Sequence, residues 1–396
     1  MPTLAHKIRL EPTRKQEAAL VCACGVSRFA FNWGLQRWNE VYREGGKPSG
    51  YSLKREWNTV KPVQFPWVYE SPKNANEQPF SDLQRAFGNF FRGQAERPKF
   101  KKRGKHDAFY VSNDKLRLDG KRVRLPVIGW VRMREALRFE GKVLSARVSR
   151  EADQWHLAVQ VQLAEALPQS NGQGVIGVDL GLTHLATLST GEKIDNPRAL
   201  AVNLKRLQRL SRQLSRKQKG SKNRAKAKRK IARLHLRISN LRADALHKLT
   251  TRLVHENQVV VAERLHVKGM VRNRRLSRSI SDAGWGVARG QLVYKGALYG
   301  TEVILADRFY PSSKTCSGCG SVKTKLDLGE RVYVCMECGL VIDRDHNAAL
   351  NLVQYPGLQG NSYACGEGSS GSADAPPGET ALVEAGTIPC SLVGTK

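Results

Sequence analysis

The sequence is short of acid. Its 396 residues hold 35 Asp and Glu against 66 Lys and Arg, a formal net charge of +31, with an isoelectric point near 10.1. A balance this basic is unlike that of an ordinary cytosolic enzyme and calls for a polyanionic partner, nucleic acid first of all. The chain also lacks an apolar start. "MPTLAHKIRLEPTRKQ" has no signal character, and no run approaches the ~18 consecutive apolar residues of a membrane helix. The expectation is a soluble cytoplasmic protein, nucleoid-associated, with no membrane partner and no small-molecule substrate. No tyrosine or serine nucleophile for strand joining stands out. There are eight cysteines, and in a reducing compartment thiols in CxxC pairs suggest metal rather than disulfides. Cys22 and Cys24 read as core; Cys365 and Cys390 lie in a loose tail.

What is present falls into segments. Thr13 and Gln16 form a capping box. Leu20, Cys24, Phe31, Leu35, Trp38 and Tyr42 then mark one apolar face of a long helix. A second helix follows Ser81, with Leu83, Phe87, Phe90 and Phe91 inward. It ends in "RPKFKKRGKH", whose Arg97, Lys99, Lys101, Lys102 and Arg103 suit a phosphate backbone, with an aromatic for stacking. From Phe109 to Leu163 the period is two, with a hairpin turning at Asp119-Gly120. This segment reads as a small barrel or sandwich, and 166–174 is a linker.

A third domain spans 175–355. "VIGVDLGLTHLATLSTGEKID" gives three short strands. A helical pair at 204–254 follows, with sixteen Lys and Arg and no acid between Lys205 and Arg242. Uncompensated cations at helical spacing repel, and a bound phosphate backbone relieves them. Lys226, Lys228 and Arg229 are therefore candidate contacts, as are Arg274 and Arg275 in "MVRNRRLSRSISDAGWG". Residues 356–396 read as a disordered tail.

Cys316, Cys319, Cys335 and Cys338 are spaced CxxC-x15-CxxC. Two such knuckles on a short hairpin supply four thiolates to one tetrahedral zinc, and a glycine after each pair (Gly320, Gly339) suits the tight turn. An iron–sulfur or rubredoxin-like site is the alternative. With four protein ligands no position is open to water, so this one zinc is structural; the ribbon is placed at 309–342.

Two acids end apolar strands: Asp179 in "VIGVD" and Glu263 in "VVVAE". Such acids are costly there unless paired. Asp343 and Asp345 open the helix "DRDHNAALNLV", where capping alone explains an aspartate. Together, acids from two strands and a helix can hold two hard divalent cations, magnesium or manganese, for in-line attack on a phosphodiester.

"GVDLG", "VVVAERL", "SISDAGWG", "YPSSKTCSGCG" and "DRDHNAALNL" resemble the TnpB (OrfB) family of transposon-encoded RNA-guided nucleases, related to type V CRISPR effectors. The resemblance covers about residues 4–355. It implies a multidomain α/β protein: an RNase H-like (RuvC) nuclease domain with an inserted zinc ribbon, preceded by a helical recognition domain at 11–106 and a wedge β-barrel made of 1–10 and 107–165. It implies an RNA-guided DNA endonuclease with Asp179, Glu263 and Asp345 as catalytic cation ligands, and Asp343 as a helix-start residue or a residue that supports a ligand from behind. The implied partners are a guide RNA from the transposon end and double-stranded target DNA. Two other readings compete: a DNA transposase that joins strands itself, and a non-catalytic zinc-ribbon regulator that binds nucleic acid.

Overall fold

The computed structural model describes residues 2–105, 107–165, 167, 169, 172–327 and 329–358, with the backbone of 383–385. The chain divides into two compact units, Met1–Ala166 with Leu382–Thr387, and the remainder. Most of the expected tail lies outside the described residues.

The N-terminal unit is a sheet with a helical layer. It begins with strand β1 (Thr3–Glu11), then helices α1 (Arg14–Arg43), α2 (Gly50–Gln64) and α3 (Lys73–Phe91). The Thr13–Gln16 capping box is formed. α1 buries Leu20, Cys24, Phe31, Leu35 and Trp38, and Trp38 stacks on Phe87 of α3 with centroids 4.1 Å apart. Over one window α1 is apolar enough to cross a membrane by length and composition, which the sequence reading had excluded. Its apolar face is used inside this unit instead.

Several expectations fail here. Tyr42 and Phe91 are 58% and 63% exposed, each in the last turn of its helix. Cys22 is exposed while Cys24 is buried, being two positions, about 200°, apart on a helix. α3 starts at Lys73, so Ser81 is mid-helix. α2 went unread: its buried stripe is only Gly50, Leu53, Trp57 and Lys61, too sparse for a periodicity signal.

Six further strands follow: β2 (Ala108–Ser112), β3 (Arg117–Asp119), β4 (Arg122–Leu125), β5 (Gly129–Met133), β6 (Gly141–Glu151) and β7 (Gln154–Leu163). The sheet order is β2-β6-β7-β1-β5-β4-β3, so β1 sits centrally, antiparallel to β7 over Thr3–Leu10. Among the described residues β2 and β3 are not paired to one another, so hydrogen bonding leaves this sheet open.

The C-terminal unit is built on a five-stranded mixed sheet. Its strands are β8 (Val175–Asp179), β9 (His184–Leu188), β10 (Lys193–Asp195), β11 (Val259–Glu263) and β12 (Glu302–Ala306), in the order β10-β9-β8-β11-β12. β8, β9 and β10 form an antiparallel meander, whereas β11 runs parallel to both β8 and β12. Parallel strands buried on both faces read as continuous apolar runs, which is the pattern of "VIGVD" and "VVVAE".

The crossover from β10 to β11 is the hairpin α4 (Ala199–Ser215) and α5 (Lys222–Glu256). The arm's own core is thin: Ala199, Leu234 and Ile238, with Leu200, Leu207 and Leu210. After β11 come α6 (Val267–Met270), α7 (Ser277–Ala283) and α8 (Trp285–Tyr299). α8 and the C-terminal half of α5 complete the main core, with Leu246, Leu253, Trp285 and Leu292 buried beside Val178 and Val260. A two-stranded ribbon, β13 (Val332–Val334) and β14 (Val341–Asp343), leads into α9 (Arg344–Val353).

Candidate active site

Three elements bring three carboxylates together. Ala262 is in register with Val178 across the parallel pair, so Glu263 and Asp179 end their strands level with each other. α9 supplies Asp345 and lies unusually close to β8. A Cβ on Gly177 would fall 2.0 Å from the Ala349 carbonyl oxygen, so only glycine lets the helix settle there. Residue 177, two before Asp179, therefore sets the distance between helix and strand.

The electrostatics follow. The Asp179 carboxyl is held well above the ordinary range, first by burial and then by the charges of Glu263 and Asp345, with Arg344 opposing. Glu263 is also raised, chiefly by burial; the Ser312 hydroxyl counters this while Asp345 adds to it. Like charges forced together in a desolvated place favour a proton or a cation. Arg344 Nη2 lies 3.2 Å from Asp345 Oδ1.

Asp343 behaves differently. Its Oδ1 accepts the backbone N–H groups of Asp345 and His346, each at 3.1 Å, and its Oδ2 takes Lys193 Nζ at 2.7 Å. Burial pushes this carboxyl up, but the lysine and the helix N–H groups outweigh it, and it lies below the usual range. Both oxygens are committed to capping α9 and fastening β10.

The four thiols converge. All four Sγ atoms lie within 4.8 Å of one another, and the Cys316–Cys338 and Cys319–Cys335 pairs are each 3.6 Å apart. Tetrahedral zinc with ligands at ~2.3 Å requires sulfurs about 3.8 Å apart. Gly320 and Gly339 adopt φ of 76° and 71°, the left-handed turn expected after each pair. Backbone N–H groups of Cys338 and Glu337 pull the Cys335 thiol down to about 6, against burial. Cys316 and Cys335 are buried with Tyr333 under the ribbon.

The two clusters are joined through side chains that sequence reasoning missed. Asn351 Nδ2 donates to the carbonyls of Ser312 and Thr315, both at 2.7 Å. Asn347 bonds the Thr315 carbonyl at 2.7 Å and the Ser317 N–H at 2.9 Å. Both asparagines are essentially unexposed. Ser312 Oγ then donates to Glu263 Oε1 at 2.6 Å. Ser312 stands in "YPSSKTCSGCG" and the asparagines in "DRDHNAALNL"; the motifs were visible, but not the pairing between them.

Most of the basic candidates are exposed, with one exception. Lys102, Arg103, Lys226, Lys228, Arg229, Arg274 and Arg275 face solvent. Arg97 bonds the Asn39 side chain at 2.9 Å, and Lys99 pairs with Glu96 at 2.6 Å. Lys101 is the exception. Its Nζ sits 3.8 Å above the Phe31 ring, and burial lowers it to about 8. Lys101 is thus only partly exposed and packs against α1. The basic arm also has an acid partner from outside its own sequence. Asp282 accepts the N–H groups of Leu200 and Ala201 at the start of α4 and pairs with Arg242 at 3.1 Å.

Residues 156–274 match the OrfB_IS605 family, described as "Probable transposase". Residues 285–352 match "Cas12f1-like, TNB domain", and residues 1–47 match a family described as "Helix-turn-helix domain", although here that segment is one strand and one helix, β1 and α1. A Streptomyces pristinaespiralis protein named "Putative RNA-guided DNA endonuclease" is 39% identical, with 92% of this chain and 91% of the relative covered. The chain belongs to the OrfB (TnpB) family. A second relative, "Putative RNA-guided DNA endonuclease InsQ" of Escherichia coli K12, is 36% identical over 92% of this chain and 94% of its own. A solved Cas12f1–sgRNA–target DNA complex has a TM-score of 0.47 at 14% identity, covering 86% of this chain and 81% of that one. In this OrfB chain the carboxylates and the thiols both lie in the C-terminal unit.

Proposed function

We propose that this protein is an RNA-guided DNA endonuclease, and that its C-terminal unit is an RNase H-like (RuvC-type) domain. Asp179, Glu263 and Asp345 would hold two magnesium or manganese ions there. The single observation that carries the reading is the convergence of these three acids, two at level strand ends and one in the first turn of a helix. The sheet order, a three-stranded antiparallel meander extended by two parallel strands, supports the same reading. So does the name borne by relatives that match nearly the whole chain.

The donor set fits hard divalent cations. It is all carboxylate oxygen, and crowding has raised its affinity for positive charge. When bound, such cations acidify a water and neutralise charge developing on the phosphate. The chain's own residues do the positioning. Ser312 fixes the Glu263 carboxylate, Gly177 sets the approach of α9, and Asp343 caps that helix so that Asp345 stays in its first turn. The four thiolates would hold one zinc with no open position, so its contribution is to shape rather than to chemistry. Guide RNA from the transposon end and double-stranded target DNA are the proposed partners, with the exposed cations of the basic arm among the phosphate contacts.

The test is to express the full chain with its native flanking DNA, sequence the RNA that co-purifies, and offer duplex DNA matching that RNA in Mg²⁺. Cleavage of matching DNA alone, lost in Asp179→Ala, is the expected result. Cleavage without matching RNA overturns guidance. Joined DNA strands as product would favour the transposase reading.

A further inference from the structure

One tie in the C-terminal unit is not accounted for by the carboxylates or the thiols. His346, half-buried and next in sequence to Asp345, meets the turn between β9 and β10. Its Nε2 lies 3.2 Å from the Ser189 carbonyl oxygen. A carbonyl can only accept, so the imidazole presents Nε2–H to it. The ring lies against Gly191, where a Cβ would sit 3.4 Å from His346 Cε1. A φ of 88° favours glycine at that place in any case.

The turn is a firm support. The Ser189 N–H donates to the Gly177 carbonyl at 2.9 Å, and Ser189 Oγ accepts the Gly177 N–H at 3.1 Å. Arg252 of α5 donates to both Glu192 oxygens, at 2.9 and 3.1 Å. Ser189 thus stands between the strand that ends in Asp179 and the helix that carries Asp345. Gly177 sets how closely α9 approaches β8, but a bare backbone contact does not stop a helix from rolling about its axis. Side-chain tips stand about 5 Å from that axis, so a roll of about 20° carries the Asp345 carboxylate about 1.7 Å, beyond the ~0.5 Å that a metal-holding constellation tolerates. Arg344 pairs with Asp345 but rolls with it. Asn347 and Asn351 fasten α9 to the loop that enters the thiols. Asp343 holds the helix start through Lys193 of β10. His346 adds a second point on the same hairpin, and two points resist a roll that one does not.

We infer that His346 is a positioning residue: by donating to the Ser189 carbonyl it fixes the roll of α9, and with it the distance of Asp345 from Asp179. The inference rests on the nuclease reading above and deepens it by naming what holds the third carboxylate in place. The task needs no charge, since a neutral imidazole already carries the proton that it donates. Reach matters more than the ring. A glutamine places its amide nitrogen near the position of the histidine Nε2. An asparagine places its own near Nδ1, short of the Ser189 carbonyl.

The test compares His346→Gln with His346→Asn in the full chain with its co-purified RNA. Mn²⁺ binding is followed by calorimetric titration at neutral pH, counting only the binding that Asp179→Asn removes. His346→Gln should bind as wild type does. His346→Asn should bind about tenfold more weakly, the lower end for residues that orient metal ligands, with its zinc retained. Hydrogen exchange of residues 344–350 in chelator reads the same tie without a cation: it should quicken in His346→Asn and not in His346→Gln. Equal Mn²⁺ binding by the two variants, whether both strong or both weak, overturns the inference. The two readings fail separately. A wild type that cuts guided DNA, with both variants alike in binding and exchange, loses the positioning role alone. A wild type that binds no Mn²⁺ at Asp179 and cuts nothing, while exchange still separates the variants, loses the nuclease reading and keeps His346 as the residue that holds α9.

Discussion

The Ser312 hydroxyl donates to Glu263 Oε1 at 2.6 Å, and the carbonyl of the same serine accepts from Asn351 at 2.7 Å. One residue thus ties a strand-end carboxylate to α9 and to the loop entering the first thiol pair, and α9 carries Asp345. This explains why a thiolate cluster and a carboxylate cluster share one short stretch of sequence. The ribbon and the asparagines of α9 hold the Ser312 loop, and that loop holds Glu263.

Removing this hydroxyl should have a pH signature. The Ser312 hydrogen bond lowers the proton affinity of Glu263, while burial and Asp345 raise it. In Ser312→Ala the carboxyl therefore rises further, and protons compete with the cation up to a higher pH. The acid limb of the cleavage profile should move to higher pH, and Mn²⁺ affinity at neutral pH should fall about tenfold, in line with the ~1.5 kcal/mol of a hydrogen bond to a charged group. Calorimetric titration and a pH–rate profile check it. A profile that stays in place, with only thermal stability reduced, would show that the contact is merely structural.

The metal-free site should destabilise the fold as pH rises. Asp179 is raised above its ordinary value of 3.8, so the folded state keeps a proton that the unfolded chain has released. That stability is complete below the ordinary value and is lost as pH climbs through the raised one. In chelator at neutral pH, Asp179→Asn should melt higher than wild type, by about 2–4 °C for each kcal/mol of repulsion relieved. Added Mn²⁺ should stabilise wild type and leave the variant nearly unchanged. Calorimetry at pH 5 and pH 8 tests the sign, since the advantage of the variant should shrink at the lower pH.

Cys335→Ser should release the zinc and weaken cleavage and stability together. Structural zinc contributes folding energy outright, and here the ribbon leads directly into Asp343 and α9. Elemental analysis of wild type should return one zinc per chain. Iron, or no metal, would overturn the assignment. Asn351→Ala offers a second route, since it should keep the zinc while loosening the Ser312 loop.

The local signals were legible because they are short-range. The CxxC-x15-CxxC spacing, the Thr13 capping box, the alternation from Phe109 to Leu163 and the acid closing each apolar strand each need only neighbouring residues to interpret. What escaped depends on pairing across the fold. Lys101 looked like one more surface cation, and only the approach of Phe31 makes it a packing residue. Asp282 sat unremarked in "SISDAGWG", yet it caps α4 from 82 residues away. Ser312, Asn347 and Asn351 stood inside recognised motifs, but their hydrogen bonds follow from topology rather than spacing. α2 was missed because half of its buried stripe is glycine and lysine.

The geometry of α5 sharpens what the basic arm should do. Lys226, Lys228 and Arg229 are all exposed, but successive helical positions are rotated by about 100°. Lys226 and Arg229, three apart, share a face; Lys228 points about 200° away from Lys226. A single phosphate backbone running along the arm can take the first two and not the third. Lys226→Gln with Arg229→Gln should therefore lower the salt slope of guide-RNA or target-DNA binding by about 1.4 to 1.8, roughly 0.7 to 0.9 per contact, while Lys228→Gln alone changes it little. The folded arm should survive, because Asp282 and the Leu234–Ile238 core hold it and loss of like charge relieves the helix. Equal falls for all three single variants would mean that nucleic acid surrounds the arm. A flat response from the double variant would move the main contacts to the exposed cations Lys102 and Arg103.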